Sequence, residues 1–142
     1  MREIETKEIN QLDQLQSAAA EILPNLKSGD VIYLIGELGA GKTTFAQYLL
    51  REGGVKEHVK SPTYNLYETY LATELSFVHM DLYRLTDPEE LYFLGIEDLA
   101  NGQNVLLVEW PEKGLGVMPK PDWLFEFKLN NLNRTLMITS KK

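Results

Sequence analysis

The sequence has 142 residues, of which 44% are hydrophobic and 25% are charged, so it suits one globular domain, 1–142, with a buried core. The absence of cysteine excludes disulfides and thiolate metal sites, and the formal net charge of −7 disfavours a chain that grips nucleic acid through a basic face. The N-terminus has no apolar signal core and no apolar run approaches the ~20 residues of a membrane helix, so we expect a cytoplasmic protein without a membrane partner.

The N-terminal part of the chain predicts a strand, a helix and a second strand. The segment "REIETKEI" alternates in polarity and predicts a short strand. Apolar residues then recur at helical spacing through "LDQLQSAAAEIL", with Asn10 or Asp13 as the expected N-cap and Pro24 as the end of the helix. The unbroken apolar run Val31–Ile35 predicts a strand that is buried on both faces.

The rest of the chain predicts the remainder of an α/β domain. One helical face in Lys42–Leu50 is apolar, and the glycine pair after this segment ends the helix. Asp87 and Pro88 carry the capping signature of a helix through "DPEELYFLGIEDLA". The predicted strands, in chain order, are "TYNLYETYL", "LSFVHMDLY", the buried run "NVLLVEW", and the alternating pair "DWLFEFKL" and "RTLMITS". These elements predict a mixed sheet with a parallel centre, helices on its faces and an antiparallel C-terminal hairpin.

The segment "GELGAGKT", which follows the strand at Val31–Ile35, fits the pattern G-x-x-x-x-G-K-[ST] of a phosphate-binding loop, or P-loop. Such a loop wraps backbone N–H groups around a phosphate, so side chains must be absent where the chain bends tightly, and glycines allow this. Lys42 would supply a positive charge to the phosphates and the Thr43 hydroxyl would ligate Mg²⁺, while the N-terminus of the helix favours an anion. The expected nucleotide-binding residues of the loop are Gly36, Glu37, Leu38, Gly39, Ala40, Gly41, Lys42, Thr43 and Thr44.

An enzyme with a P-loop also needs a carboxylate at the end of a neighbouring strand, which holds Mg²⁺ directly or through water. Two candidates exist, since Glu109 follows the apolar run "NVLLV" and Asp81 follows "LSFVHM". One of the two would hold the metal and the other would orient the attacking water. Nearby, we expect His79 to be half-buried with its hydrogen bonds satisfied, and Trp110 to be a core aromatic.

Comparison with the motifs of other P-loop proteins indicates which nucleotide base the protein binds and which class of reaction it catalyses. The segment Pro119–Asp122, "PKPD", resembles the guanine-binding motif N-K-x-D, but a proline stands in place of the asparagine amide. ATP is therefore favoured over GTP. Four scattered arginines fit poorly with a small-molecule kinase, although a kinase and a nucleotide-gated binding module remain alternatives to an ATPase. Thr63, in "VKSPTYNL", stands where the switch loops of P-loop enzymes follow the first helix; a plain turn is the alternative there.

Four segments, in this order and at this spacing, resemble the TsaE (YjeE) family of bacterial ATPases. They are "GELGAGKTTF", "VKSPTYNL", "HMDLYRL" and "VLLVEWPEK", and the match runs from Glu3 to about Ile138. The resemblance implies a small P-loop NTPase fold that uses ATP and Mg²⁺ and helps to install the threonylcarbamoyl group on the adenosine beside the anticodon of tRNA. It also implies that the protein acts with TsaD and TsaB, that hydrolysis supports repeated turnover, and that tRNA is met only indirectly through that complex.

The resemblance also implies roles for individual residues. Glu37 stands where the family is expected to have aspartate, but this is a variable position of the loop. The implied roles are phosphate binding by Gly39 to Thr44, Mg²⁺ ligation by Thr43 and Glu109, hydrolysis or switching by Asp81 and Thr63, and a position near the base for Asn10 and Arg134.

Overall fold

The fold is built on a mixed sheet, which has seven strands in the part of the chain that the computed structural model describes, residues 2–62 and 65–141. The strands, in chain order, are β1 (Arg2–Glu8), β2 (Val31–Ile35), β3 (Tyr67–Leu71), β4 (Ser76–Asp81), β5 (Asn104–Glu109), β6 (Trp123–Asn130) and β7 (Asn133–Ser140). Their spatial order is β1-β7-β6-β2-β5-β4-β3. Strands β6, β2, β5 and β4 run parallel, and β1, β7 and β3 each pair antiparallel with a neighbour. The predicted mixed sheet with a parallel centre and an antiparallel C-terminal hairpin is confirmed.

Helices cover both faces of the sheet, as the unbroken apolarity of β2 and β5 requires. One face packs against α1 (Leu12–Ile22) and α2 (Lys42–Glu52) through a large apolar cluster that includes the buried apolar residues of both helices. The opposite face packs against α3 (Glu90–Phe93) and α4 (Ile96–Leu99) through a second apolar cluster, which also includes Met118. The predicted α/β architecture of a small P-loop domain is therefore present.

The carboxyl ends of the central parallel strands meet at one edge of the sheet. In the register of β4 and β5, Asp81 lies beside Glu109, and in the register of β2 and β5, Leu34 lies beside Glu109. The loop from Gly36 to Gly41 leaves the end of β2 at this same edge and leads directly into α2. Open parallel sheets bind ligands in the crevice outside the carboxyl ends of their strands, so this edge is where a site is expected.

Two sequence predictions about helices need correction. The N-cap of α1 is Gln11, whose backbone N–H donates to the Gln14 side chain at 3.0 Å, rather than Asn10 or Asp13. The segment after Asp87 forms two short helices rather than one, because Gly95 between them has φ of +81°, a left-handed conformation that ends a helix.

Candidate functional site

The backbone of the P-loop adopts the glycine conformations that its sequence predicts. Gly39 and Gly41 have φ of +78° and +108°, conformations that residues with a Cβ rarely adopt. Gly36 is pressed against β6, where a Cβ at this position would lie 2.8 Å from the carbonyl oxygen of Phe127. Gly41 is the N-cap of α2, so the loop delivers the positive end of that helix to the sheet edge.

Packing under the loop holds α2 in place. Phe45, in the first turn of the helix, is completely buried and meets the rings of Phe125 and Phe127 edge-on, with centroids 5.5 and 5.6 Å away. Such edge-to-face pairs contribute about 0.5–1.5 kcal/mol each beyond the area that they bury. The first turn of α2, which carries Lys42 and Thr43, is thus anchored to β6 by its apolar side.

Lys42 is buried and engages the loop and a neighbouring aromatic ring. It is only 4% exposed, and its Nζ donates to the carbonyl oxygen of Gly36 and lies 3.7 Å from the centroid of the Trp110 ring. Burial lowers the pKa of the Lys42 ammonium, and the negative charges of Glu109, Glu112 and Asp81 oppose that shift. The positive charge is therefore held under the loop by a carbonyl dipole, an aromatic face and three carboxylates.

Thr43, Glu109 and His79 form a continuous hydrogen-bonded chain beneath the P-loop. The Thr43 hydroxyl donates to Glu109 Oε1 at 2.7 Å, and Glu109 Oε2 lies 2.7 Å from His79 Nε2. Glu109 is 2% exposed and His79 is completely buried, while Nδ1 of His79 has no hydrogen-bond partner. His79 is buried rather than half-buried as expected, because β4 and β5 place the ring between the sheet and α2 against Glu109, and one of its two ring nitrogens is hydrogen-bonded.

Asp81 lies beside Glu109 at the end of β4 and turns the chain that follows. Its Oδ1 accepts a hydrogen bond from the backbone N–H of Tyr83 at 3.0 Å, and its side chain also lines the cleft above Glu109. Tyr83 packs on Trp110, with ring centroids 5.0 Å apart. The two candidate carboxylates are thus neighbours, and Glu109 accepts a hydrogen bond from the Thr43 hydroxyl.

These groups line an open cleft of about 390 Å³ at the predicted edge of the sheet. Its lining includes a lysine, two arginines, two carboxylates and two aromatic rings. The lining residues are Leu38, Gly39, Gly41, Lys42, Thr43, Thr44, Asp81, Tyr83, Arg84, Glu109, Trp110 and Arg134.

The remaining predicted site residues lie elsewhere. Gly36, Glu37 and Ala40 face a second cleft between the P-loop and the end of β6. Asn10 does not line the first cleft; its Oδ1 accepts from the backbone N–H of Arg134 at 2.6 Å and ties the entry of α1 to the start of β7. Asn10 therefore contacts Arg134, and its expected position near a base stays a prediction. Thr63 lies outside the described residues.

Two lining residues, Tyr83 and Trp110, were not expected from the sequence. Tyr83 follows Asp81 by two residues, so a carboxylate at a strand end was the available signal that residues soon after it would border the site. Trp110 packs partly on the second apolar cluster, as a core aromatic would, but also covers the Lys42 ammonium. Trp110 has a φ of +55° at the turn that follows β5, and no pattern in the sequence predicts that conformation.

The oxygen donors under the loop fit a magnesium ion that arrives with a phosphate ligand. Mg²⁺ prefers carboxylate, hydroxyl, water and phosphate oxygens, and it is usually held by one or two carboxylates plus substrate phosphates. In the described residues, no group of three or more histidine, aspartate or glutamate side chains forms a metal cage. Thr43 and Glu109 instead offer a hydroxyl and a carboxylate beside the helix N-terminus. This donor set suits Mg²⁺ shared with a nucleotide.

Comparison with known proteins identifies the family of this chain. The family model described as "Threonylcarbamoyl adenosine biosynthesis protein TsaE" matches residues 9–136. The chain belongs to the TsaE family. A Haemophilus influenzae relative named tRNA threonylcarbamoyladenosine biosynthesis protein TsaE is 49% identical over 107 residues, which are 74% of this chain and 68% of the relative. A Rickettsia conorii TsaE protein is 38% identical over 137 residues, covering 94% of this chain and 78% of the relative.

A solved structure also matches this TsaE-family chain over its full length. The crystal structure of YdiB from Bacillus subtilis superimposes with a TM-score of 0.82 and 26% sequence identity, and the match covers 100% of this chain and 88% of YdiB. The fold described above is therefore shared with that protein. Within the described residues, no helix is long and apolar enough to cross a membrane.

Proposed function

We propose that this protein is an ATP-binding and ATP-hydrolysing subunit that serves threonylcarbamoylation of tRNA adenosine next to the anticodon. The observation that carries the ATP proposal is the hydrogen bond between Thr43 and Glu109. It lies beside a P-loop in which Lys42 donates to the Gly36 carbonyl. A phosphate bound by the loop would meet the α2 N-terminus, a buried ammonium and a pair of oxygen ligands for Mg²⁺ in one place. The pathway is proposed from the names of the relatives.

The proposed chemistry assigns each group a task. The loop N–H groups and Lys42 would hold the phosphates, while Thr43 and Glu109 would hold Mg²⁺, which supplies charge neutralisation for the phosphate oxygens. Asp81, which is 8% exposed and borders the cleft, would orient the attacking water. The family resemblance implies a position near the base for Arg134, which lines the cleft and whose backbone N–H donates to Asn10.

Partner proteins complete the proposed assembly. The proposed partners are TsaD and TsaB, with tRNA bound by that complex and not directly by this acidic chain. The defining experiment is release of inorganic phosphate from ATP without an acceptor molecule. An ATPase releases phosphate under these conditions, whereas a small-molecule kinase needs its acceptor. In a binding module hydrolysis is incidental, so partner proteins would not change its rate.

The two carboxylates are expected to separate into a metal ligand and a hydrolytic group. Glu109→Gln should lose at least about 10-fold of the ATP affinity that Mg²⁺ provides, because a carboxamide ligates Mg²⁺ poorly, while affinity in EDTA stays close to that of the wild type. Asp81→Asn should bind ATP and Mg²⁺ almost normally but lose about 10²-fold in turnover, because orienting water matters mainly in the transition state. Nucleotide titrations with and without Mg²⁺, and phosphate release at saturating ATP, measure both effects. Reversed phenotypes would exchange the two roles.

Nucleotide binding is expected to change the fluorescence of Trp110. Lys42 Nζ now lies 3.7 Å from that ring, and a bound phosphate would draw the ammonium away from the indole. The other tryptophan, Trp123, is buried and donates to Asp30 at 3.1 Å, in a register position at the opposite end of β2. The ATP-dependent change should therefore survive in Trp123→Phe and vanish in Trp110→Phe. A change that persisted without Trp110 would show that the ring does not sense Lys42.

A further inference from the structure

The buried face between β4 and α2 contains a histidine that the proposed chemistry does not use. His79 lies in the middle of β4, two residues before Asp81, and its side chain is completely buried. The register of the parallel strands pairs His79 with Leu107, so Glu109 is two residues further along β5 and on the same face of the sheet. The imidazole thus approaches Glu109 from inside the protein, on the side away from the cleft.

Hydrogen-bond geometry determines which ring nitrogen carries the proton. Glu109 Oε2 lies 2.7 Å from Nε2, and an ionised carboxylate only accepts, so Nε2–H of His79 must donate. Nδ1 is buried with no partner. An Nδ1–H group would be a buried orphan donor, whereas a bare Nδ1 leaves only an unused lone pair. The neutral Nε2–H tautomer is therefore the form that this environment favours.

The two oxygens of Glu109 have different partners. Oε1 accepts the Thr43 hydroxyl and Oε2 accepts His79, each at 2.7 Å. The terminal torsion of a glutamate is broad and weakly restricted, so one hydrogen bond alone would leave the carboxylate free to rotate. A second bond, made by a ring that is immobile in the core, removes that freedom. Glu109 then presents Oε1 and Thr43 together toward the cleft.

We propose that His79 is a positioning residue that holds the Glu109 carboxylate in the orientation needed to ligate the nucleotide-bound cation. The proposal rests on the proposed function, because it concerns the same ATP and Mg²⁺ site. His79 touches neither the cleft nor the reacting atoms; it acts through Glu109. Residues that orient metal ligands in this way typically change metal affinity or activity 10–100-fold when they are removed.

The first test is spectroscopic and uses the nucleotide-free protein. The chain has two histidines, and His58 is exposed, so His58→Gln leaves a single imidazole signal from His79. Long-range ¹H–¹⁵N correlation spectra are expected to show the Nε2–H tautomer in this variant. An Nδ1–H tautomer would mean that the ring does not donate to Glu109 and would overturn the proposal.

The second test compares two substitutions of the buried ring. His79→Leu removes the donor, whereas His79→Gln places an amide N–H near the position of Nε2, and His58→Gln is the exposed control. Affinity for a non-hydrolysable ATP analogue is measured in Mg²⁺ and in EDTA, and Mn²⁺ binding to the analogue complex is followed by electron paramagnetic resonance. We expect His79→Leu to lose about 10-fold or more of the cation-dependent affinity with EDTA affinity unchanged, and His79→Gln to recover most of it.

The outcomes separate this proposal from the function on which it rests. If the wild type gains affinity from Mg²⁺ and His79→Leu gains equally, the positioning role is wrong and the ATP site stands. If the wild type gains nothing from Mg²⁺, the proposed cation site fails and the positioning role fails with it. Thermal unfolding of each variant identifies a folding defect, and in that case His79→Gln and the tautomer of the His58→Gln variant decide the question.

Discussion

Lys42→Ala is expected to weaken ATP binding at least about 100-fold while the protein still folds. Hydrogen bonds to charged groups contribute about 1.5–3 kcal/mol each, and a lysine that contacts two phosphates contributes enough for a 100-fold change. Lys42 is poised for this contact, since its Nζ is held between the Gly36 carbonyl and the Trp110 ring at the floor of the cleft. Isothermal titration with ATP and Mg²⁺ measures the loss.

Folding of this variant follows from what Lys42 contacts. Its partners are a carbonyl of the loop and the face of Trp110, and alanine is the best helix former for the first residue of α2. Lys42→Met keeps an apolar chain of similar length beside Trp110 without the charge, so it should match the alanine variant in ATP affinity. Lys56→Ala, at an exposed position outside the cleft, is the control. Wild-type ATP affinity in both Lys42 variants would contradict the assignment of the loop.

The phosphate-binding unit is the part of the molecule that sequence reasoning predicts best. An apolar run, a glycine-rich segment and an amphipathic helix follow one another without interruption, so local patterns alone define β2, the loop and α2. The two carboxylates are also predictable, because each directly ends an apolar strand. Their placement side by side depends on the parallel pairing of β4 with β5, which the rule for carboxyl ends of parallel strands makes plausible but which no local pattern specifies.

The parts that sequence reasoning misses depend on register and on unusual backbone conformations. His79 meets Glu109 only because the β4–β5 register offsets them by two residues on one face of the sheet. Trp110 reaches Lys42 through a left-handed φ of +55° that is rare for a tryptophan. Gly95 splits the predicted helix after Asp87 because an isolated glycine can either remain helical or adopt a positive φ, and packing selects between the two.

The second large effect concerns the rate of hydrolysis. Efficient phosphoryl transfer needs positive charge on the transition state beyond Lys42 and Mg²⁺, often an arginine that is worth ~10³–10⁵ in rate. Of the four arginines, Arg84 and Arg134 line the cleft, Arg51 lies in the last turn of α2, and Arg2 begins the edge strand β1. Arg51 is thus about 14 Å of helix away from the loop, at 1.5 Å per residue.

Both arginines of the cleft are exposed to water in the isolated chain. A charge that is exposed to water stabilises a transition state weakly, because water screens it. Leu38, at the rim of the same cleft, is 67% exposed, so this end of the molecule also presents apolar surface. A protein that covered the rim would exclude water, order the arginines or supply one of its own.

We therefore expect the isolated chain to hydrolyse ATP far more slowly than ~10 s⁻¹, the median turnover of enzymes, and to be accelerated at least about 10-fold by the TsaD–TsaB pair. The measurement is steady-state phosphate release at saturating ATP and Mg²⁺, alone and with the partners. Arg84→Ala should lose most of the accelerated rate if this chain supplies the charge, and Arg51→Ala, at the far end of α2, is the matched control. Full acceleration in Arg84→Ala would assign the charge to the partner. A rate near ~10 s⁻¹ for the wild-type chain alone would show that the site is complete without a partner, and the expectation of partner dependence would be wrong.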